Sequence, residues 1–374
     1  MKGIDITMNR DPFKEYIKQG EPDKINKGYT WNTAIGLQNV DGLTPSQYLI
    51  DTAIDNIEGR ITIEEAQQII ENYYEEKPQS LDEDRTEEAD KVSVRIAAIL
   101  SEKAFSFTPN EYISIHKKLF QGLYKHAGKI RDYNITKKEW VLNGDTVIYG
   151  SASELHATLE YDFSQEKAFS YKGLSMDEII HHFAIFISRL WQIHVFEEGN
   201  TRTTAVFFIK YLRQLGFDVT NDIFAKNAWY FRNALVRANY NNLKLNIHET
   251  TEYLEIFLRN LLLNENNKLS NRKLHIYVNI NNQKADFHTQ KPDFEDEKPD
   301  FDNNILNLKD CSFSKKTISY IQKLFKYYGK DKTFGRNEVI EIFGLKKTRS
   351  SELLKEMLEV GIIKKVEERG KYKF

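Results

Sequence analysis

The sequence predicts a mostly α-helical protein with one small β-hairpin and a separate C-terminal helical module. Three observations carry this reading. Apolar residues recur at three and four positions through most of residues 44–264, as in Ala89, Val92, Ile96, Ile99 and Leu100, which is the period of amphipathic helices. Between Gly128 and Gly150 the period changes to alternation around Asn143-Gly144, a dipeptide that favours a tight hairpin turn. After Asn279 the composition shifts to charge and proline, and helical periodicity returns only near Lys315.

The elements follow in order. Thr44-Pro45 and Thr108-Pro109 each pair an N-cap with a proline tolerated in a first turn, so each predicts a helix start. Helices are expected over Met176 to Ile193 and over Thr203 to Leu215, with Gly216 closing the second. Two more are expected at about Asn227 to Tyr240 and His248 to Asn264. The near-repeat Lys284-Ala285-Asp286-Phe287, Lys291-Pro292-Asp293-Phe294 and Lys298-Pro299-Asp300-Phe301 has heptad spacing, but its prolines exclude a coiled coil and mark a linker. Beyond it, helices at Lys315 to Tyr328, Asn337 to Phe343 and Thr348 to Val360, then an alternating terminal stretch, resemble a winged helix-turn-helix. The expected division is therefore an N-terminal helical region (1–84), a larger helical domain (85–278), a linker (279–309) and the C-terminal module (310–374).

Composition narrows the function. The 53 Lys and Arg residues nearly cancel 55 Asp and Glu residues, so no global field gathers nucleic acid or membrane, and any such partner must meet a local patch. Cys311 is the only cysteine, which excludes an intramolecular disulfide framework and a cysteine-based zinc site. A polar Met1 to Lys18 and the absence of any long apolar run predict neither signal peptide nor membrane span, hence a cytoplasmic protein.

The informative segment is His194-Val195-Phe196-Glu197-Glu198-Gly199-Asn200-Thr201-Arg202-Thr203, between two apolar helices. Taken singly, a histidine at a helix end or a Gly-Asn-Thr-Arg run is ordinary loop chemistry. Together they describe an anion site. A loop that opens directly into a helix aims backbone N–H groups and the positive end of the helix dipole into one concavity. Arg202 adds a fork of donors that fits a phosphate. Glu198 is a hard oxygen ligand of the kind Mg²⁺ takes beside nucleotide phosphates, and His194 can accept a proton at neutral pH.

This segment resembles the signature of Fic proteins, with Thr201 where the family has its second glycine. The resemblance covers roughly residues 85–263 and implies a protein adenylyltransferase. His194 would deprotonate a Ser, Thr or Tyr hydroxyl of a target protein that attacks the α-phosphorus of ATP, with pyrophosphate leaving on Mg²⁺ held at Glu198. It implies nucleotide contacts from Glu197, Gly199, Asn200, Thr201 and Arg202, and places Phe231 and Asn239 at the adenine. The region from Gly128-Lys129-Ile130-Arg131 through the hairpin is similar to the family's target-binding flap, with Val141, Leu142, Val147, Ile148 and Tyr149 as its residues. Relatives that transfer UMP or another phosphate-containing group, and a DNA-binding regulator that only senses nucleotide, are the alternatives. Pairing with a second copy of the chain is left open.

The N-terminal region resembles the antitoxin modules that accompany some Fic toxins. Aligned on Gly42-Leu43-Thr44-Pro45, Leu37 stands for the Ser/Thr of the inhibitory helix, Asp41 for its glutamate, and Ala205 for the second arginine that the glutamate pairs with. The expectation is a structural cover in which Asp41 inhibits weakly or not at all. For the C-terminal module, Lys346, Lys347, Arg349 and Ser350 at the start of the recognition helix, with Lys371 on the wing, are the candidate DNA contacts; the glutamates among them leave protein docking as the alternative.

Overall fold

In the computed structural model the described residues are 13, 22–76, 85–219 and 223–276, and, towards the C-terminus, 317, 320, 321, 324, 325, 328, 333–343, 347–359, 362–366 and 371–373. The chain divides into two compact units, Met1–Gln290 and Lys291–Phe374. The expected linker falls outside the described residues.

In the first unit, α1 (Pro22–Gly36) runs into a 3₁₀ turn (Leu37–Asp41), followed by α2 (Gln47–Ile57), α3 (Ile63–Glu76), α4 (Thr86–Ser101) and α5 (Pro109–Phe120). A 3₁₀ turn (Trp140–Leu142) leads to α6 (Leu155–Ala168), α7 (Met176–Ile193), α8 (Asn200–Gln214), α9 (Ile223–Ala238), α10 (Glu252–Leu263) and the short α11 (Asn271–Leu274). The N-terminal helices share one core with the rest, since Trp31, Ala34, Leu37 and Leu49 belong to the same buried cluster as Trp191, Phe207 and Phe257. Where α1 meets α9, a Cβ on Gly36 would lie 2.3 Å from the Ala225 Cα, so only glycine permits that approach.

Helix α8 is the axis of this unit. Every residue from Asn200 to Leu212 is buried, although the helix carries Asn, Thr, Arg and Lys. It packs on α4, α5, α7 and the Leu37–Asp41 turn. A helix hydrophobic on one stripe would need only one neighbour; one enclosed on all sides needs a partner for each polar group. Thr204 Oγ1 meets Tyr112 Oη at 2.8 Å, and Lys210 Nζ donates to the carbonyl of Ile99 at 3.1 Å and to that of Glu102.

The two helices after Gly216 are displaced, running Ile223–Ala238 and Glu252–Leu263, and three further expectations shift. The helix after Thr44-Pro45 starts two residues later, because Ser46 is the N-cap that accepts from Leu49 N–H, and its own hydroxyl donates to Asp90. Helix α8 starts at Asn200, three residues before Thr203, because Gly199 supplies the turn at φ 78°. The hairpin around Asn143-Gly144 is not a β ladder. Asn143, at φ 56°, ends the 3₁₀ turn, and Glu139 N–H to Asp145 O (2.9 Å) and Gly144 N–H to Glu139 O (2.9 Å) close a compact loop whose side chains Val141, Leu142 and Val147 enter the core. A strand in that register would have left one face to solvent.

In the second unit, β1 (Phe334–Gly335), α12 (Arg336–Phe343), α13 (Lys347–Glu359), β2 (Lys364–Lys365) and β3 (Lys371–Lys373) follow in order. The strands form an antiparallel sheet in the order β1-β3-β2. The described residues between 317 and 328 are helical, and Ile321, Leu324, Val339, Leu353 and Met357 form its core. No helix among the described residues is long and apolar enough to cross a membrane.

Candidate active site

The site is a loop between two buried helices. Helix α7 begins at a capping box, with the Ser175 side chain and the Glu178 carboxylate serving each other's backbone N–H groups, and ends at His194 in the left-handed region at φ 52°. That conformation strains a residue with a Cβ, and it is held by contacts from outside the helix. Arg131 supplies them: Nε donates to His194 O at 2.8 Å, Nη2 to Gly150 O at 2.6 Å, and its own N–H to Val195 O at 2.9 Å.

At the other end of the loop, Gly199 is both left-handed and crowded, since a Cβ there would lie 2.4 Å from the Phe120 ring. Asn200 spans the loop with both side-chain atoms, accepting from Phe196 N–H at 3.0 Å and donating to Phe196 O at 2.7 Å. Beneath it the Phe196 ring stacks on His116 at 3.7 Å. His116 Nδ1 accepts from Gly128 N–H at 2.8 Å, so its Nε2 carries the proton and donates to Glu198 O at 3.0 Å. Burial pushes that imidazole down to about 3, which keeps this tautomer neutral. Thr201 fits this chain because its hydroxyl accepts from Trp191 Nε1 at 3.0 Å.

His194 itself is buried, with the Tyr149 ring 4.4 Å away and Trp191 edge-on at 5.3 Å. Its Nδ1 has no hydrogen-bond partner. Burial first, then Lys137, Arg232 and Arg131, hold the imidazole well below the usual histidine range, so it is uncharged at neutral pH. Glu198 projects outward, 53% exposed, with Lys137 Nζ at 3.0 Å; Glu197 lies 3.4 Å from His126 Nδ1. One projecting carboxylate fits Mg²⁺ shared with nucleotide phosphates, and among the described residues no group of three or more metal-ligating side chains exists to hold a metal unaided.

Arg202 is where the structure departs most from the sequence reading. Its side chain is 1% exposed, with Nη1 donating to Gln38 Oε1 (3.0 Å) and Nη2 to Glu88 Oε1 (2.7 Å) and Tyr124 Oη (3.1 Å). Its Nε lies 2.8 Å from Asp41 Oδ2, and the guanidinium sits 4.8 Å over the Phe120 ring. Burial would lower its pKa, but Asp41, Tyr124 and Glu88 more than offset this. Asp41 therefore does form the ion pair that an alanine at 205 had argued against, and it does so with Arg202, one helical turn earlier. Beside it a cleft of about 460 Å³ is bounded by Asp41, Gly42, Glu139, Trp140, Trp229 and Arg232.

Other expected residues lie elsewhere. Phe231 is fully buried in the core, 5.0 Å from Phe224 and 5.1 Å from Phe257. Asn239 donates to Ser188 O and Leu235 O and borders a different cleft with Arg189 and Gln192. Of the expected flap residues only Ile148 is open to solvent, at 84%, while Val141, Leu142 and Val147 are buried and Tyr149 backs His194. In the second unit Ser350 is fully buried and cannot meet a DNA phosphate, Arg349 pairs with Glu356 at 2.9 Å and Glu352 at 3.4 Å, and Lys371 pairs with Glu338. Lys346 and the side chain of Lys347 lie outside the described residues. Sequence reading missed His116, Glu88, Tyr124, Glu139 and Arg232, which carry no local motif; Arg131 stood in view in Gly-Lys-Ile-Arg without a role.

The loop sits in the segment that comparison identifies, for residues 106–212 match the Fic/DOC family. The protein adenylyltransferase VbhT of Bartonella schoenbuchensis is 29% identical over 108 residues, a match that spans 29% of this chain and only 21% of that protein's length. Among solved structures, a Fic family protein from Desulfovibrio desulfuricans G20 aligns over 97% of this chain and 93% of its own, at 12% identity and a TM-score of 0.42. The N-terminal Fic domain of Bep8 from Bartonella sp. 1-1C aligns over 46% of this chain and 81% of its own, at 18% identity and a TM-score of 0.36.

The Arg202 cluster makes acid sensitivity a test of how α8 is anchored. Burial pushes the Glu88 carboxyl up, but Arg202, Tyr124 and Arg85 together hold it below the ordinary glutamate value. A depressed folded pKa contributes stability above the unfolded value that is lost as pH falls through the folded one. Glu88→Gln should cost about 3 kcal/mol at neutral pH, and urea denaturation across the acid range should show that gap closing below the ordinary glutamate pKa. A gap that stays constant with pH would contradict the assignment.

Proposed function

We propose that this protein transfers AMP from ATP to a Ser, Thr or Tyr hydroxyl of a protein, with His194 as general base. The observation that carries the reading is the left-handed turn at His194, which sets an uncharged imidazole at the mouth of the loop that opens α8. A neutral imidazole can take the proton of an attacking hydroxyl. The oxygen then bonds to the α-phosphorus, the bond to the bridging oxygen breaks, and pyrophosphate leaves. The first backbone N–H groups of α8, which have no partners within the helix, face the charge that develops on the phosphate. Glu198, released from Lys137, would hold Mg²⁺, which supplies charge neutralisation to the leaving pyrophosphate. The similarity to a protein adenylyltransferase supports AMP as the transferred group and a protein as acceptor. The cleft beside Asp41 offers Trp140 and Trp229 as surfaces for a base.

In this reading the chain rests in an inhibited state. Arg202 binds phosphate only after Asp41 lets go, and Asp41, 27% exposed, is the more accessible of its two carboxylate partners, Glu88 being 9% exposed. The N-terminal segment is then a brake in the same chain. We also read the C-terminal unit as a winged helix-turn-helix that binds DNA through α13, with Arg349 and Lys371 leaving their carboxylate partners for phosphates.

Incubation of the full chain carrying Asp41→Ala, which releases the brake, with cell extract and isotope-labelled ATP, GTP, UTP or CTP, followed by mass spectrometry, should find AMP on a hydroxyl side chain. His194→Ala should lower the rate by at least roughly 100-fold. A different mass increment, or full activity in His194→Ala, defeats the reading. For the C-terminal unit, a gel shift with the full chain should show binding that weakens steeply with salt; its absence would leave protein docking as that unit's role.

A further inference from the structure

Behind His194 lies a second organised cluster of buried charge, outside the loop and the Arg202 clamp. Glu139 has a fully buried side chain, and Arg232 of α9 grips it in bidentate fashion, Nη1 to Oε2 at 2.5 Å and Nη2 to Oε1 at 3.0 Å. Tyr149 Oη donates to Glu139 Oε1 at 3.0 Å, and the ring of Tyr149 lies 4.4 Å from that of His194. Arg232 also sits 5.3 Å over Trp229, at the wall of the cleft beside Asp41. As a source of stability alone such a buried pair is replaceable by apolar side chains. Apolar replacements would not supply a fixed cation near an imidazole whose Nδ1 has no partner, nor anchor the ring that seats it.

We propose that Glu139, Arg232 and Tyr149 form a positioning set for His194, in which the ion pair fixes the ring that seats the imidazole and sets the charge the imidazole faces. This rests on His194 being the base. The charged groups acting on it are Arg131 and Lys137, before the 3₁₀ turn, and Arg232 on α9, while Glu139 and Glu198 act on the Tyr149 ring beside it and the Glu198 carboxylate is paired with Lys137. Arg131 is spent on backbone carbonyls and Lys137 on an exposed carboxylate, whereas Arg232 has a dedicated buried counter-charge. Removing either member of that pair therefore changes the charge near His194 with opposite sign.

The test is NMR titration of the full chain with ¹³C-labelled histidine between roughly pH 3 and 8, with His194 assigned by the signal lost in His194→Asn. Arg232→Met should move the His194 titration up by about half a unit or more. Glu139→Gln breaks the same ion pair but leaves the cation uncompensated, so it should move the titration down or leave the ring untitrated. Arg232→Lys, which keeps the charge, should restore wild-type behaviour. If Arg232→Met and Glu139→Gln shift His194 in the same direction, or neither shifts it, the pair is a structural strut and the proposal is wrong. Absence of nucleotide transfer by the Asp41→Ala chain, in which the brake is released, would remove the base role, and this proposal with it; that failure is read in the activity assay, independently of the titration.

Discussion

A guanidinium cannot be buried without partners, and the demand of Arg202 for them organises this protein. Isolated in a low-dielectric core, its charge would cost several kcal/mol. Here it is met by Glu88 from α4, Asp41 and Gln38 from the turn after α1, and Tyr124 beyond α5. These segments are far apart in sequence, so satisfying one side chain fixes how the N-terminal helices sit on α8. The cation also lies over Phe120, the ring that forbids any residue but glycine at 199. One clamp thus connects the N-terminal cover to the loop that bears His194.

The loop is stiff for the same kind of reason. Backbone groups of three of its residues are caught by side chains: Arg131 on His194, Asn200 on Phe196, His116 on Glu198. His194 is therefore held in a strained conformation and kept neutral mainly by burial. In the proposed reaction, preorganisation of this type costs folding stability and returns it as a base that needs no reorientation when a hydroxyl arrives. The same network explains Thr201, where the domain's pattern has glycine: Trp191 gives its hydroxyl a donor in the core.

Much of this was legible in the sequence. The mostly helical architecture followed from the 3.6 period, Thr108-Pro109 marked a helix start correctly, and the ordered segment His194 to Arg202 located the loop. Alternation failed at residues 140–149 because it reported which side chains enter the core, not whether a neighbouring strand pairs with them. Phe231 was misplaced because helical position alone does not tell a pocket wall from an aromatic cluster with Phe224 and Phe257. Asp41 was judged against position 205, one turn from the arginine that it meets. Partners such as Glu88, Glu139 and Arg232 contribute single charges at large sequence separation, and no periodicity or motif encodes which charge will face which across a folded core.

In the proposed function Asp41 occupies the arginine that phosphate needs, and calorimetry of ATP binding with Mg²⁺ tests this directly. Comparison of the wild type with Asp41→Ala, using His194→Ala as background in both to prevent turnover, isolates binding from chemistry. Freed of one carboxylate, Arg202 should take phosphate, and ATP affinity should rise by roughly 10-fold or more, the effect of about 1.4 kcal/mol. Equal affinity in the two proteins would mean that the ion pair serves the fold alone and that Arg202 is no part of the nucleotide site.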